Sequence, residues 1–564
     1  MFSSSKQLAG LALALCVGAF AACSNDSGSG PQPLPAPSGV STSQLSLTAI
    51  RVSWSAVTGA TNYLLQRASA SAPGVFAQVG GGPLGVTSFD DNGVTAGLAY
   101  SYRVAAVAGS DTSDFSPPAT FTTGLQQAVI SGDITASRTL SSDTVYVLSG
   151  YVKVKNGAVL TIQAGTKIVG DTNVVGSSLW ILRGSKISAN GTQAQPIVFT
   201  SQRSPGNRSP GDWGGLIIIG NGIINRTGAT ILTEGGAAGV AENYAGGTDN
   251  NDNSGVLRYV RIEFAGYDIS NGAGQELNAL SSYAVGRGTT YEYIQTMAGL
   301  DDSFEYWGGA VDGRYLVSYE SGDDHFDWSE GYQGRNQFLI AFQSQRLVPR
   351  PGAGVFSSDP RGFEGDGCDP AVSGCTLSAT GASTPFSNPV FANFTLIGPG
   401  QLAGIPNDGN GGVWRRGTGG FFANGIMARW KGIAINIRDA WTDSLLINYD
   451  SLNIVNVLLT QNGFNYDTTG AGFGQAVSFA SDNHLVFAAS VAADTLLGVS
   501  LNPSGLDWTP KLSSPASAGA GATTVPAAKV GAFFGGSWAN TTFLGAADPN
   551  GAKWWQGWTN YAIN

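Results

Sequence analysis

Between Gly299 and Phe342 one phrase occurs twice. Asp301-Asp302-Ser303-Phe304-Glu305-Tyr306 returns, 22 residues on, as Asp323-Asp324-His325-Phe326-Asp327-Trp328. The apolar runs between the copies keep nearly the same step: Tyr293-Ile294, Tyr315-Leu316-Val317 and Phe338-Leu339-Ile340. A period of this length, with one short apolar strand per unit and glycine at the corners, restricts the chain to a solenoid in which each unit is one coil. Stacked coils set each residue over its equivalent at the inter-strand spacing, about 4.8 Å. Asp301 is therefore expected near Asp323, Phe304 near Phe326 and Glu305 near Asp327. The rings make a core stack and the carboxylates make a ladder.

The ladder needs a counterweight. Two ionised carboxylates about 4.8 Å apart repel by roughly 3.5 kcal/mol at an effective dielectric of about 20. A cation, neighbouring N–H donors or raised pKa values each relieve this, and three assignments stay open. Asp301, Glu305, Asp323 and Asp327 are hard oxygen ligands on adjacent coils, the donor type of a Ca²⁺ site. Asp302, Asp323 and Asp324 are the candidates for catalytic carboxylates, because glycoside hydrolysis needs one carboxyl as acid and another to activate water. The third assignment is structural. In a regular strand Asp301, Ser303 and Glu305 share one face, with Asp323, His325 and Asp327 below, while Phe304 and Phe326 turn into the core. Asp302 and Asp324 would then also point inward unless a bend rotates them. That conflict suggests a corner, where Asp oxygens accept backbone N–H bonds.

Other chemistry has fewer parts. The two histidines, His325 and His484, lack metal-ligand spacing, so zinc and triad hydrolysis are poorly supported, and His325 is expected at a corner. A lyase would pair Ca²⁺ with a base beside a uronate carboxylate. Arg314, Arg335, Arg415 and Arg416 are the basic candidates, although arginine is normally charged and pairs with acids. Tyr306, Trp307, Tyr332 and Trp414 are candidate sugar-binding aromatics, whereas Trp213 and Trp328 are expected in the core. A net charge of −10, with no basic cluster after the N-terminus, argues against nucleic acid as a partner.

Along the chain, residues 1–22 read as a signal peptide, with Lys6 ahead of an apolar run from Leu8 to Phe20 that is too short to span a membrane. Residues 23–38 are a Ser/Gly-rich and then Pro-rich linker. Residues 39–124 carry short alternating runs between turn signals, an antiparallel β-sandwich pattern. From 125 to 500 apolar runs with Gly and Asn at the corners suit parallel strands, and no long helical period interrupts them. Residues 501–564 are expected to cap this parallel β-helix. The fold class is all-β. Cys368 and Cys375, the two cysteines beyond the signal, are expected to pair in a small loop.

Several stretches resemble known families. Phe20-Ala21-Ala22-Cys23 resembles a bacterial lipoprotein signal, which implies acylation of Cys23. Ser24 does not supply the Asp of an inner-membrane retention signal, so the expected location is the outer membrane, lipid-anchored and surface-exposed. Val52-Ser53-Trp54, Ala60-Thr61-Asn62-Tyr63-Leu64-Leu65 and Leu98-Ala99-Tyr100-Ser101-Tyr102-Arg103-Val104 resemble a fibronectin type III domain. Trp54 is then the core tryptophan and Tyr100 or Tyr102 the corner tyrosine. Gly191 to Ser201, Gly211-Asp212-Trp213-Gly214-Gly215, Leu257 to Gly266, the doubled Asp-Asp phrase, Gly531 to Phe534 and Trp555 to Thr559 resemble a family of exported bacterial right-handed parallel β-helices of pectate-lyase-like architecture. Gly322-Asp323-Asp324 resembles the Asp-Asp element of polygalacturonase-type glycosidases, but their Gly-His-Gly and Arg-Ile-Lys elements are missing. The expected function is that of a surface lipoprotein that binds a glycan, another polymer or a partner protein, with an outer-membrane transporter as a further candidate partner. The alternatives are a polysaccharide lyase or glycoside hydrolase and a structural or adhesive solenoid.

Overall fold

The computed structural model describes residues 33–234, 240–270, 275–400, 409–467, 475, 478–487, 506–517 and 521–563. The signal segment, Cys23 and most of the linker lie outside them. The chain forms two compact units, Met1–Gly124 and Leu125–Asn564.

In the first unit, strands Ser41–Ser46, Ala49–Ser53 and Ser88–Asp91 form one antiparallel sheet. A second antiparallel sheet is built on Asn62–Ser69 and Ala99–Ala108. Alternating residues of both sheets meet in one core that holds Trp54, Tyr63, Leu65, Tyr102 and Val104. Of the two candidate corner tyrosines, Tyr100 makes the backbone contact: its hydroxyl accepts the N–H of Thr95 at 2.9 Å. The Tyr102 hydroxyl donates to Asp91 instead, at 2.9 Å.

In the second unit every coil contributes to parallel sheets. One sheet has ten strands and runs from Tyr151–Val154 through Leu280–Tyr283, Phe304–Trp307, Phe326–Ser329, Phe363–Asp366 and Gly412–Arg415 to Phe464–Tyr466. The other has fifteen strands and ends on Val486–Phe487. A continuous apolar core lies between them. The expected register is present, with Phe304 beside Phe326 and Glu305 beside Asp327. The two phenylalanine rings stack with centroids 5.1 Å apart. An eight-residue helix, Ala440–Ile447, occupies one corner and is capped by the Asp439 carboxylate.

One corner recurs on coil after coil. Tyr259, Tyr293, Tyr315, Phe338, Asn393, Asn424 and Asn456 all have φ between 48° and 63°. They occupy equivalent positions that the strand register skips. Asn tolerates this left-handed conformation, but an aromatic residue there needs compensation. Here it comes from stacking: the Tyr259, Tyr293, Tyr315 and Phe338 rings follow one another at 4.3, 4.5 and 5.1 Å. The C-terminal segment lies along this row of corners. Trp558 packs edge-on against Tyr259 and Tyr293. The side-chain amides of Asn393 and Asn424 donate to Thr541 (2.9 Å) and to the Thr523 carbonyl (2.8 Å). The described part of the 501–564 segment, expected as a cap, therefore runs down the flank of the stack, where the corners offer ring edges and unused amide donors.

Candidate functional site

The repeated acids lie where the chain enters two neighbouring strands. Those strands begin only at Phe304 and Phe326, so Asp301–Ser303 and Asp323–His325 are corner residues outside the period-two alternation. This settles where Asp302 and Asp324 point. Asp302 Oδ1 accepts the N–H of Asp324 at 2.8 Å, and Asp324 Oδ1 accepts the N–H of Arg361 at 2.5 Å. Each caps the corner of the next coil.

Three acidic groups result, each with one oxygen per residue within 4.8 Å of the others: Asp301, Asp302 and Asp323; Asp302, Glu305 and Asp327; and Asp324, Asp327 and Glu364. The four expected Ca²⁺ ligands are thus divided between two groups that share Asp302. Glu364 is a further rung, paired in register with Asp327. Its repeat step is 37 residues instead of 22, because a loop intervenes before Phe363. That loop also supplies Arg361, whose side chain is 5% exposed and pairs with Asp324 Oδ2 at 3.1 Å, with Asp359 and with Glu364.

A glycine motif supports the middle group. A Cβ on Gly215 would stand 2.0 Å from the Asn278 carbonyl, and its φ is +97°. Only glycine lets this strand approach Asn278 so closely. The Asn278 amide donates to Glu305 Oε2, and its Oδ1 accepts the N–H of Asp302 at 3.0 Å.

The electrostatics separate the groups. Burial works against ionisation of Glu364, yet its hydrogen bond with Asp324 and the guanidiniums of Arg361, Arg415 and Arg416 hold its pKa at about 2. Burial, then the charges of Glu234, Asp302 and Asp327, pushes Glu305 well above the usual carboxylate range. Burial, then Glu364 and Asp366, does the same for Asp327. Burial and then Glu364 raise Asp323 to about 7. Oδ1 of Asp323 and Oδ1 of Asp327 make no hydrogen bond. The residues present fit a hard divalent cation: carboxylate oxygens converge, two of these oxygens lack donors, and Asp302, Glu305 and Asp327 form no ion pair among the described residues.

Glu305 and Asp327 line a cavity of about 590 Å³ over the outer face of the ten-stranded sheet. Trp307, Glu364, Asp366, Arg415 and Arg416 share that wall, while Glu234, Tyr244 and Arg226 come from the facing segment. Tyr244 donates to Glu330 at 2.7 Å, which ties the two walls together. Asp302, Asp323 and Asp324 do not line the cavity. The oxygens within each acidic group are also closer than the roughly 6.5–9.5 Å of an inverting acid/base pair.

The aromatic candidates divide. Trp307 lines the groove with an edge only, 6% exposed, and stacks on Tyr283 at 4.0 Å. Tyr306, Tyr332 and Trp414 are buried in the core instead, as are Trp213 and Trp328. Once the strand begins at Phe304, Tyr306 shares the inward side with it, so these three rings offer no free face to a ligand. His325 is also buried. Ser318 Oγ lies 2.5 Å from its Nδ1, and burial pushes its pKa down to about 3, so the ring is neutral and no base for the groove. Arg314 and Arg335 stand on the fifteen-stranded sheet with Glu292 and Asp312. Arg415 and Arg416 remain at the groove, each bound to Asp366. Cys368 and Cys375 are bonded, with Cα atoms 5.3 Å apart, beside the same cavity.

A family model described as a pectate-lyase like beta helix domain matches residues 132–498. No curated protein matches the chain. Solved structures with local similarity include an Fn3-like protein from Clostridium thermocellum, 29% identical over 15% of this chain and 90% of that one, with a TM-score of 0.14. The fn3 domain of human collagen alpha-1(XX) is 23% identical over 18% of this chain and 95% of that one, with a TM-score of 0.15. A structure of titin kinase and its flanking domains is 23% identical, and the match covers 15% of this chain and 16% of that one, with a TM-score of 0.14.

Proposed function

The chain belongs to the pectate-lyase-like β-helix family, and from that premise we propose that its groove binds a glycan through a divalent cation, with Ca²⁺ the expected ion. The observation that carries this is the group Asp302, Glu305 and Asp327, which opens through Glu305 and Asp327 into a cavity large enough for a sugar unit. Three carboxylates this close favour a bound cation over three unshared charges. An acidic wall would repel a uronate chain, but a held divalent cation offsets most of that charge and gives a sugar carboxylate or hydroxyl a ligand position. Trp307 supplies an apolar edge beside it.

Binding without turnover is favoured because the basic groups at the groove are engaged: Arg415 with Glu364 and Asp366, Arg416 with Asp366 and Asp369. Lyase chemistry is the second reading, because both arginines line the same cavity as Asp327. The test is titration of the full chain with uronate and neutral oligosaccharides, in Ca²⁺ and in chelator. Affinity that needs Ca²⁺ and falls about tenfold or more in Asp327→Asn supports the assignment. Accumulation of unsaturated products would replace binding with lyase chemistry. Saccharide indifference in both conditions would leave a structural or adhesive solenoid.

The location is part of the same proposal. Acylation at Cys23 would anchor the chain in the outer membrane, and the 23–38 linker would hold the folded units clear of it, within reach of a transporter. Cys23→Ala is expected to move the protein from the detergent-extracted membrane fraction to the soluble one. Unchanged fractionation would remove lipidation as the anchor.

A further inference from the structure

On the fifteen-stranded sheet, Arg258, Glu292, Arg314 and Gln337 stand in register on successive strands. Glu292 is held from both sides, by Arg258 at 2.5 Å and by Arg314. Beside it Asp312 meets Arg335, and Arg287 Nε at 3.5 Å. Four guanidiniums thus face two carboxylates, an excess of two positive charges on a chain whose net charge is −10. Arg258, Arg287, Arg314 and Asp312 line a cavity of about 270 Å³, closed on one side by Phe534 and Gly535 of the C-terminal segment. Arg287 Nη2 donates to the Gln333 carbonyl at 2.9 Å, but its Nε is buried without a hydrogen bond. The Arg314 guanidinium is fixed over the Phe534 ring, 4.4 Å from its centroid.

This arrangement exceeds what two internal salt bridges require. Arginine forks match tetrahedral oxyanions, and a phosphate monoester carries close to two negative charges at neutral pH. Arg314 lines the first of two cavities on this flank. Its neighbour Tyr315, with Tyr293, Phe338 and Trp554, lines a second space of about 510 Å³. A free ion would fill only the arginine cavity. A sugar attached to it would extend towards the aromatic-walled space that begins at the next residue, Tyr315.

We propose that this face is a second saccharide site, for a sugar phosphate whose phosphate sits among Arg258, Arg287 and Arg314. It is independent of the acidic groove and its cation, so Asp327→Asn leaves it intact. The test is calorimetric titration of the full chain with inorganic phosphate, inorganic sulfate, glucose 1-phosphate and glucose, at matched ionic strength. Phosphate is expected to bind where glucose alone does not, and glucose 1-phosphate to bind more tightly than phosphate. Arg287→Gln keeps Arg335 on Asp312 and is expected to retain the wild-type melting temperature while weakening both phosphates about tenfold, the effect of one charge-assisted hydrogen bond. Thr290→Glu, which places a carboxylate in the same cavity, is expected to abolish both. Equal affinity in wild type and Arg287→Gln would reduce the arginines to structural partners of Glu292 and Asp312. Sulfate binding as tightly as phosphate would overturn the phosphate assignment, and glucose 1-phosphate binding no more tightly than phosphate would overturn the saccharide.

Discussion

Arg361→Met is expected to lower folding stability by about 3–5 kcal/mol, the cost of removing the most buried cation of an ion network that also holds Arg415. Arg361 is 4% exposed and joins Asp324, Asp359 and Glu364. Methionine fills much of the volume, so the loss is electrostatic and not that of a cavity. The pH dependence identifies the cause. Glu364 has its folded pKa held at about 2, below its ordinary 4.5. A depressed carboxylate contributes stability above the unfolded pKa, and this is lost as pH falls through the folded one. The wild-type advantage over Arg361→Met should therefore shrink as pH drops from about 5 towards 2. Arg361→Lys is expected to recover only part, because an ammonium cannot span three carboxylates as a planar fork does. Urea denaturation at neutral pH gives the size. A loss below about 1 kcal/mol would mean that solvent screens the network.

The second large effect concerns acids that form no ion pair with Arg361. Asp323 and Glu234 are raised to about 7 and about 8, the first by burial and Glu364, the second by burial, Glu276 and Glu330. Between their unfolded values, near 4, and these folded ones, the folded state keeps protons that the unfolded chain has shed. Stability with chelator present is therefore greatest at low pH and is lost as pH rises from about 4 to 8, by roughly 4 kcal/mol for each group. A divalent ion held by Asp302, Glu305 and Asp327 displaces their protons and favours ionisation of these acidic neighbours, which flattens the slope and adds about 2.7 kcal/mol at a hundred times its dissociation constant. Melting curves across this range, with Ca²⁺ and with chelator, measure both effects. Stability that rises with pH in chelator would show the acids to be paired as ions already.

The strand register was legible because a 22-residue step repeats both its acids and its rings. Phe304 over Phe326 and Glu305 over Asp327 needed nothing beyond the inter-strand spacing. The loop before Phe363 concealed the next rung, since Phe363-Glu364 repeats Phe304-Glu305 at a lengthened interval. Arg361 carried no local signal: its role depends on where that loop returns. The burial of Tyr306, Tyr332 and Trp414 was readable in principle, because Tyr306 lies two residues from Phe304 and must share its face. Placing the strand start at Phe304 would have turned Tyr306 inward and left Glu305 and Trp307 at the groove. On the fifteen-stranded sheet Glu292 over Arg314 follows the same 22-residue step, but Arg258 was not legible as their neighbour, because its coil is longer than 22 residues.

Calorimetric titration of Ca²⁺ into the full chain, wild type and Asp327→Asn, with melting temperatures of both in Ca²⁺ and in chelator, addresses the groove most directly. The expected result is a crossing. In chelator Asp327→Asn is more stable than wild type, because one carboxylate is removed from two acidic groups. In Ca²⁺ the order inverts, because the variant has lost a ligand. Wild type that binds no Ca²⁺ and melts identically in chelator, or a variant that binds Ca²⁺ as tightly as wild type, would contradict a cation held by Asp302, Glu305 and Asp327.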